Sequence, residues 1–161
     1  MEAARHLTRE QAALARVLVT VAVAAALAAV DLAHKAAAAT PEWAYHGRST
    51  DWYVLTAGVL AGCISLARIP SLAVAAAAGV LAGGAAGNVL SGIASGRGIP
   101  NPIVVRGETH VIAFNLADVF AMTGIALLVV VLAAISIRNR HRLLPPRRLW
   151  RELRARRRGR R

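Results

Sequence analysis

An isolated carboxylate, Asp118, lies at the start of a long apolar run and is the residue best placed to do chemistry. It ends the segment Phe114–Asp118, and it is the only ionisable residue from Leu116 to Ile137. A carboxylate at a bilayer edge costs free energy unless it is hydrated, is paired with another polar group, or takes part in the function of the protein. The Asn115 amide lies three residues before it. Asp118 is therefore a candidate acid or base, and such catalysis usually needs a second titratable group nearby.

Further polar residues flank other apolar segments. Asp31 and Lys35 are four residues apart, so they are neighbours on one helix face, with the acid before the base. They form either an ion pair at the membrane interface or a brace for a neighbouring helix. Asn88 follows the small residues Gly83–Gly87, which in a membrane helix let another backbone approach closely.

Composition and charge indicate a membrane protein with a basic tail. Hydrophobic residues make up 57% of the chain, and the single Cys63 excludes an internal disulfide and a cysteine-based metal cluster. The net charge of +12 lies almost wholly in residues 138–161, which hold twelve arginines and one acid. A basic segment directly after an apolar one is typical of a cytoplasmic anchor on anionic lipid. Nucleic-acid binding is disfavoured, because the arginines are not interleaved with a series of aromatic residues.

The apolar segments predict an all-α membrane protein with four transmembrane helices. A span needs about 20 residues, and shorter ones of about 17 occur. The chain then divides into an N-terminal segment 1–13, a membrane domain 14–137 and the tail 138–161. The predicted spans are Leu14–Val30 with a weaker continuation to Ala39, Tyr53–Ala67, Leu72–Leu90 and Leu116–Ile137.

Arginines predict the orientation, because they favour the cytoplasmic side of a membrane. They precede the first span, occupy the turn at Arg68 and fill the tail, so both termini are predicted to be cytoplasmic. The segments Thr40–Trp52 and Ser91–Ala113 then face outward, and Ile103–Val105 is a candidate short strand. This topology brings the polar ends of the first, third and fourth spans to one depth. The arginines before the first span are Arg5, Arg9 and Arg16.

With these residues in place, the chain resembles lipoprotein signal peptidase (signal peptidase II), a four-span bacterial aspartic endopeptidase. The family's Asp-x-x-x-Lys pattern is matched by Asp31 and Lys35 in the first span. Its Gly-Gly-x-x-Gly-Asn motif is matched by Gly83–Asn88, and its Phe-Asn-x-Ala-Asp motif by Phe114–Asp118. The order and spacing of the motifs agree over residues 14–137.

The resemblance implies a multi-pass protein of the bacterial inner membrane that cleaves lipid-modified prolipoproteins just before the lipidated cysteine. It implies no metal and no organic cofactor, and it implies lipid-modified prolipoproteins or other acylated peptides as partners, besides membrane lipids. Asp118 matches one of the two catalytic aspartates of the family. The residues that match supporting positions are Asp31, Lys35, Asn88 and Asn115.

The other catalytic aspartate has no counterpart in this sequence. Its position falls on Pro100 without a gap, or on Asn101 with a shift of one residue. An amide can neither hold the shared proton nor act as a base, so Glu108 or Asp51 would have to supply the missing carboxylate. Whether the chain is an enzyme therefore stays open between an active, divergent peptidase and a silent relative that binds an acylated peptide or lipid. A small transporter or structural helix bundle is disfavoured by the order of the motifs.

Overall fold

The chain is mainly helical in its computed structural model, which describes residues 8–142. Residues 1–7 and 143–161, with Arg5 and most of the arginine-rich tail, lie outside the described residues. Among the described residues, three helices are long and apolar enough to cross a membrane, and a fourth, α2, is apolar but has 17 residues. The helices are α1 (Arg9–Ala37), α2 (Thr50–Leu66), α3 (Leu72–Ser95) and α4 (Leu116–Arg138).

The described residues form two compact units, one ending at Val129 within α4 and one beginning at Val130. The first unit contains α1, α2, α3, the start of α4 and every short strand. Of the second unit, the structure describes the rest of α4 and a 3-10 turn over Arg140–Arg142. All the polar residues singled out in the sequence for chemistry belong to the first unit.

Each helix begins at a side chain that caps its free N–H groups. The capping oxygen accepts a hydrogen bond from the backbone N–H three residues later, at 3.0 to 3.3 Å in all four helices. Such caps satisfy donors that the first helical turn leaves unpaired. They fix the starts of α2, α3 and α4 close to the predicted ones, whereas α1 begins at Arg9, before the predicted Leu14. The capping residues are Thr8, Ser49, Ser71 and Asn115.

Helix α3 packs against both α1 and α2, and its glycines allow close contact. A methyl group added at Gly79 would come within 2.8 Å of Val23, and one added at Gly83 within 2.8 Å of Leu27, both in α1. Thr20 of α1 also donates a hydrogen bond to the carbonyl of Ala75 at 3.0 Å. The small residues of α3 therefore work as a packing surface, as the sequence predicted.

Within residues 8–142, two antiparallel pairs of short strands lie in the connections between helices. Strand β1 (Tyr45–His46) pairs with β2 (Ile99–Pro100), and β3 (Ile103–Arg106) pairs with β4 (Val111–Phe114). Strand β3 includes the predicted strand. The first pair ties the α1–α2 connection to the one after α3, and β4 leads directly into α4. Gly96, with a φ of 63°, ends α3 and allows the chain to turn towards β2.

We predict that a side chain at Gly84 weakens the contact between α3 and α4. An added methyl group would meet the backbone of Ala117 and Ala121 in α4, neither of which can rotate away. Gly84→Ala should lower the free energy of unfolding by about 1–3 kcal/mol through overpacking. The measurement is the thermal unfolding midpoint of the purified protein in detergent.

The matched control is Gly62→Ala in α2, where an added methyl group meets nothing within 4 Å. It should be neutral or slightly stabilising, because alanine favours a helix over glycine. Equal stability of the two variants would contradict the close α3–α4 contact.

Candidate functional site

Asp118 lies in the first turn of α4 with both of its carboxylate oxygens hydrogen-bonded. Oδ1 accepts from Asn88 Nδ2 at 2.9 Å, and Oδ2 accepts from the backbone N–H of Asn115 at 3.2 Å. The Asp118 N–H in turn donates to Asn115 Oδ1 at 3.0 Å. This reciprocal arrangement is a capping box, and the helix dipole favours a negative charge there. Asp118 thus helps to start α4 as well as facing the polar residues of α3.

The predicted pair Asp31 and Lys35 is buried and holds three helices together. Lys35 Nζ lies 2.7 Å from Asp31 Oδ2 and donates to Asn88 Oδ1 and Ser91 Oγ of α3, each at 3.0 Å. Three oxygen atoms thus surround the ammonium group, two as hydrogen-bond acceptors and one as its ion-pair partner. Asp31, which has no exposed surface, accepts from the Ala117 N–H of α4 at 2.9 Å. Of the two interpretations of this pair, the brace is the one the structure shows.

Lys35 is the single lysine of a chain that has nineteen arginines. A lysine ammonium is a compact charge that can serve acceptors in three directions, whereas a guanidinium is a planar fork. Asp31 also needs space, because a methyl group added at Gly87 would lie 2.7 Å from its Oδ2. The residue types at these positions therefore suit one compact, buried cluster.

Asn101 is also buried, and it is linked to Asp118 through Asn115. Asn115 Nδ2 donates both to Asn101 Oδ1 and, at 3.3 Å, to the carbonyl of Pro100. Both candidate positions for the missing aspartate therefore contact the same side chain. On its other side, Asn101 Nδ2 lies 2.8 Å from Nδ1 of His46 in β1.

The two loop carboxylates that were candidate replacements lie elsewhere. Glu108 is exposed in the turn between β3 and β4, and Asp51 is exposed in the first turn of α2. Within residues 8–142, neither makes a hydrogen bond or an ion pair with Asp118. The carboxylate of Asp31 is committed to Lys35 and Ala117.

Sequence reasoning missed two members of this cluster, Ser91 and His46. Ser91 follows Asn88 by three residues, a spacing that places both on one helix face, but a lone serine carries no specific signal. His46 lies in a connection without any motif, and only the pairing of β1 with β2 brings it to Asn101.

Comparison of the chain with protein-family profiles, with characterised proteins and with solved structures finds no match. The resemblance to signal peptidase II therefore stays a prediction that depends on three sequence motifs. Residues from all three motifs lie in one hydrogen-bonded network, in which Lys35 contacts Asn88 and Asn88 contacts Asp118.

We predict that Lys35→Met destabilises the protein by about 3–5 kcal/mol, because Asp31 would be left buried without its counter-charge. Lys35→Arg should also destabilise, since a planar fork does not fit three acceptors around one point. In the double variant Asp31→Asn/Lys35→Met, much of the stability should return, because no isolated charge remains. Unfolding in detergent of the two single variants and the double variant measures this coupling.

Arg48→Met serves as the control, since Arg48 is an exposed cation 5.3 Å from the ring centroid of Trp52. Its loss should change the unfolding free energy by no more than about 1 kcal/mol. A Lys35→Met protein as stable as this control would show that the buried pair does not hold the helices together.

Proposed function

We propose that this chain is a signal peptidase II-like protein of the bacterial inner membrane that binds a lipid-modified peptide without cleaving it. The observation that carries the proposal is that Asn115 links a carboxylate, Asp118, to a buried amide, Asn101, where the family has two carboxylates. The proposal takes Asn101 to stand where the family has its second catalytic aspartate.

The chemistry of peptide hydrolysis supports the silent form of the family. Two aspartates that share a proton can polarise the scissile carbonyl and activate a water at once. An amide can neither share that proton nor act as the base that activates the water, and Asp31 is fully buried in its own ion pair. General acid–base catalysis typically contributes a factor of about 10²–10⁴, which the loss of one partner would largely remove.

An apolar cavity in the first unit supports the binding of an acyl chain. It has a volume of about 400 Å³, within the range of ligand pockets, and it opens between α1, α2 and α3. Its lining includes Ala82 of α3, together with Leu32 and Leu90. These two leucines lie close in sequence to Lys35 and Ser91 of the polar network. A lipid tail in the cavity would therefore bring its attached peptide towards polar groups.

We predict that the purified wild-type protein binds a lipidated prolipoprotein peptide in nanodiscs but leaves it uncut. The unlipidated peptide, as the control, should bind at least about ten-fold more weakly, because acyl burial contributes about 0.8 kcal/mol per methylene. Asn101→Asp should introduce cleavage, and adding Asp118→Asn to that variant should abolish it. The measurements are fluorescence anisotropy and mass spectrometry of the products.

Each outcome of this experiment decides one part of the proposal. Cleavage by the wild type that Asp118→Asn abolishes would show an active peptidase. A lack of cleavage by Asn101→Asp would count against Asn101 as the counterpart of the family's second catalytic aspartate and would favour Pro100. Equal affinity for both peptides would contradict recognition of the lipid.

The proposal also gives the chain four spans with both termini in the cytoplasm, α2 being the shortest. In a Cys63→Ala background, a membrane-impermeant thiol reagent should label Gly47→Cys and Glu108→Cys in intact cells. Arg68→Cys, in the turn between α2 and α3, should be labelled only after permeabilisation. Labelling of Arg68→Cys in intact cells would overturn the orientation.

A further inference from the structure

A row of side-chain amides leads from the start of α4 to an exposed histidine, and its donors and acceptors can be assigned in one way. The backbone N–H of Asp118 can only donate, so the atom of Asn115 that faces it is Oδ1. Asn115 Nδ2 must then point at Asn101, and Oδ1 of Asn101 accepts its hydrogen bond. Asn101 therefore presents Nδ2, a donor, to Nδ1 of His46.

His46 completes this row only as a neutral ring with its proton on Nε2. A protonated histidine carries N–H groups on both ring nitrogens and has no acceptor to offer. Turning the Asn101 amide over would satisfy the protonated ring but would set two NH₂ groups, those of Asn101 and Asn115, against each other. Asn115 cannot turn, because its Oδ1 is held by the Asp118 N–H. Protonation must therefore break one bond of the row.

We infer that His46 is a positioning residue of the Asp118 site, which fixes the orientation of the Asn101 amide through its neutral Nδ1. His46 reaches this place because β1 pairs with β2, and the Asn101 N–H donates to the Ala44 carbonyl at 3.1 Å. The ring itself is exposed, so protons from solvent reach it. Asn101 is only 3% exposed, so a change in its hydrogen bond to His46 affects the buried network that contains Asn115.

Titratable and charged residues near His46 lie on both sides of the strand pair. On its own side of the strand pair, the titratable and charged neighbours in sequence are Glu42, Tyr45 and Arg48. From the segment that leads into β2, Arg97 stacks on the Tyr45 ring, 4.4 Å from its centroid, and donates to its hydroxyl at 3.1 Å. Among the described residues, no carboxylate forms an ion pair with His46.

The test uses the asparagine side chains as reporters in the full-length protein, labelled with ¹⁵N at asparagine and purified in detergent. The chain has four asparagines, and three of them belong to the network. Histidines generally gain charge between pH 8 and pH 5. In the wild type, the Asn101 and Asn115 amide signals should shift together over this interval.

Two variants separate the proposed role from a general loss of structure. His46→Asn keeps an acceptor in the place of Nδ1 but does not titrate, so its amide signals should be the same at both pH values. His46→Leu removes the acceptor and should show the low-pH Asn101 signal throughout. Wild-type Asn101 and Asn115 signals that stay fixed, or that move equally in His46→Asn, would overturn the inference.

Binding of the lipidated peptide adds a second readout, and this part alone rests on the proposed function. His46→Leu should weaken binding about five-fold at pH 8, the equivalent of one hydrogen bond. His46→Asn should restore wild-type affinity, and its affinity should not change at pH 5. Unchanged affinity in His46→Leu would exclude a role in binding. Failure of the wild type to bind at either pH would refute the proposed function, while the amide signals still decide the role of His46.

Discussion

The buried ion pair of Asp31 and Lys35 is the constraint on which the first unit of the structure depends. Removing two charges from water is expensive, and their mutual attraction repays this only when the remaining donors and acceptors are also satisfied. Here those partners come from other helices: Asn88 and Ser91 in α3, and the Ala117 N–H in α4. One charged pair in α1 thereby specifies where two other helices must lie.

The short reach of these polar groups explains why α3 is rich in small residues. Asparagine and aspartate side chains contact each other across two helices only if the backbones are close. Gly84 allows this approach to α4, and Gly87 leaves the space that the Asp31 carboxylate fills. Helix association in a membrane gains little from the hydrophobic effect, so packing and interhelical hydrogen bonds have to provide it. The glycines therefore allow the close approach of backbones that the hydrogen bonds of the polar network require.

Much of this arrangement could be predicted from the sequence, because its strongest signals are local. Long apolar runs predicted four helices, and each now has bounds within a few residues of those expected, apart from α1, which begins at Arg9, and α3, which runs on to Ser95. The spacing of Asp31 and Lys35, and the common depth expected for the helix ends, predicted that the polar residues would gather.

The rest depends on contacts between distant segments, which no local pattern encodes. His46 meets Asn101 across 55 residues of sequence, and the pairing of two-residue strands that brings them together has no periodicity to detect. The capping box at Asn115 and Asp118 is a different case. Its spacing is visible in the sequence, so the role of Asp118 at the start of a helix is predictable from local pattern alone.

The hydrogen bonds around Asn101 suit an amide better than a carboxylate. Its Oδ1 accepts from Asn115, and its Nδ2 donates to the ring of His46. A carboxylate at position 101 would still accept from Asn115 but would turn a second oxygen towards a ring nitrogen that has no proton. That contact becomes favourable only if His46 moves its proton to Nδ1 or gains a second one. The environment of position 101 is thus matched to asparagine, and a carboxylate there is stabilised on this side only when Nδ1 of His46 carries a proton.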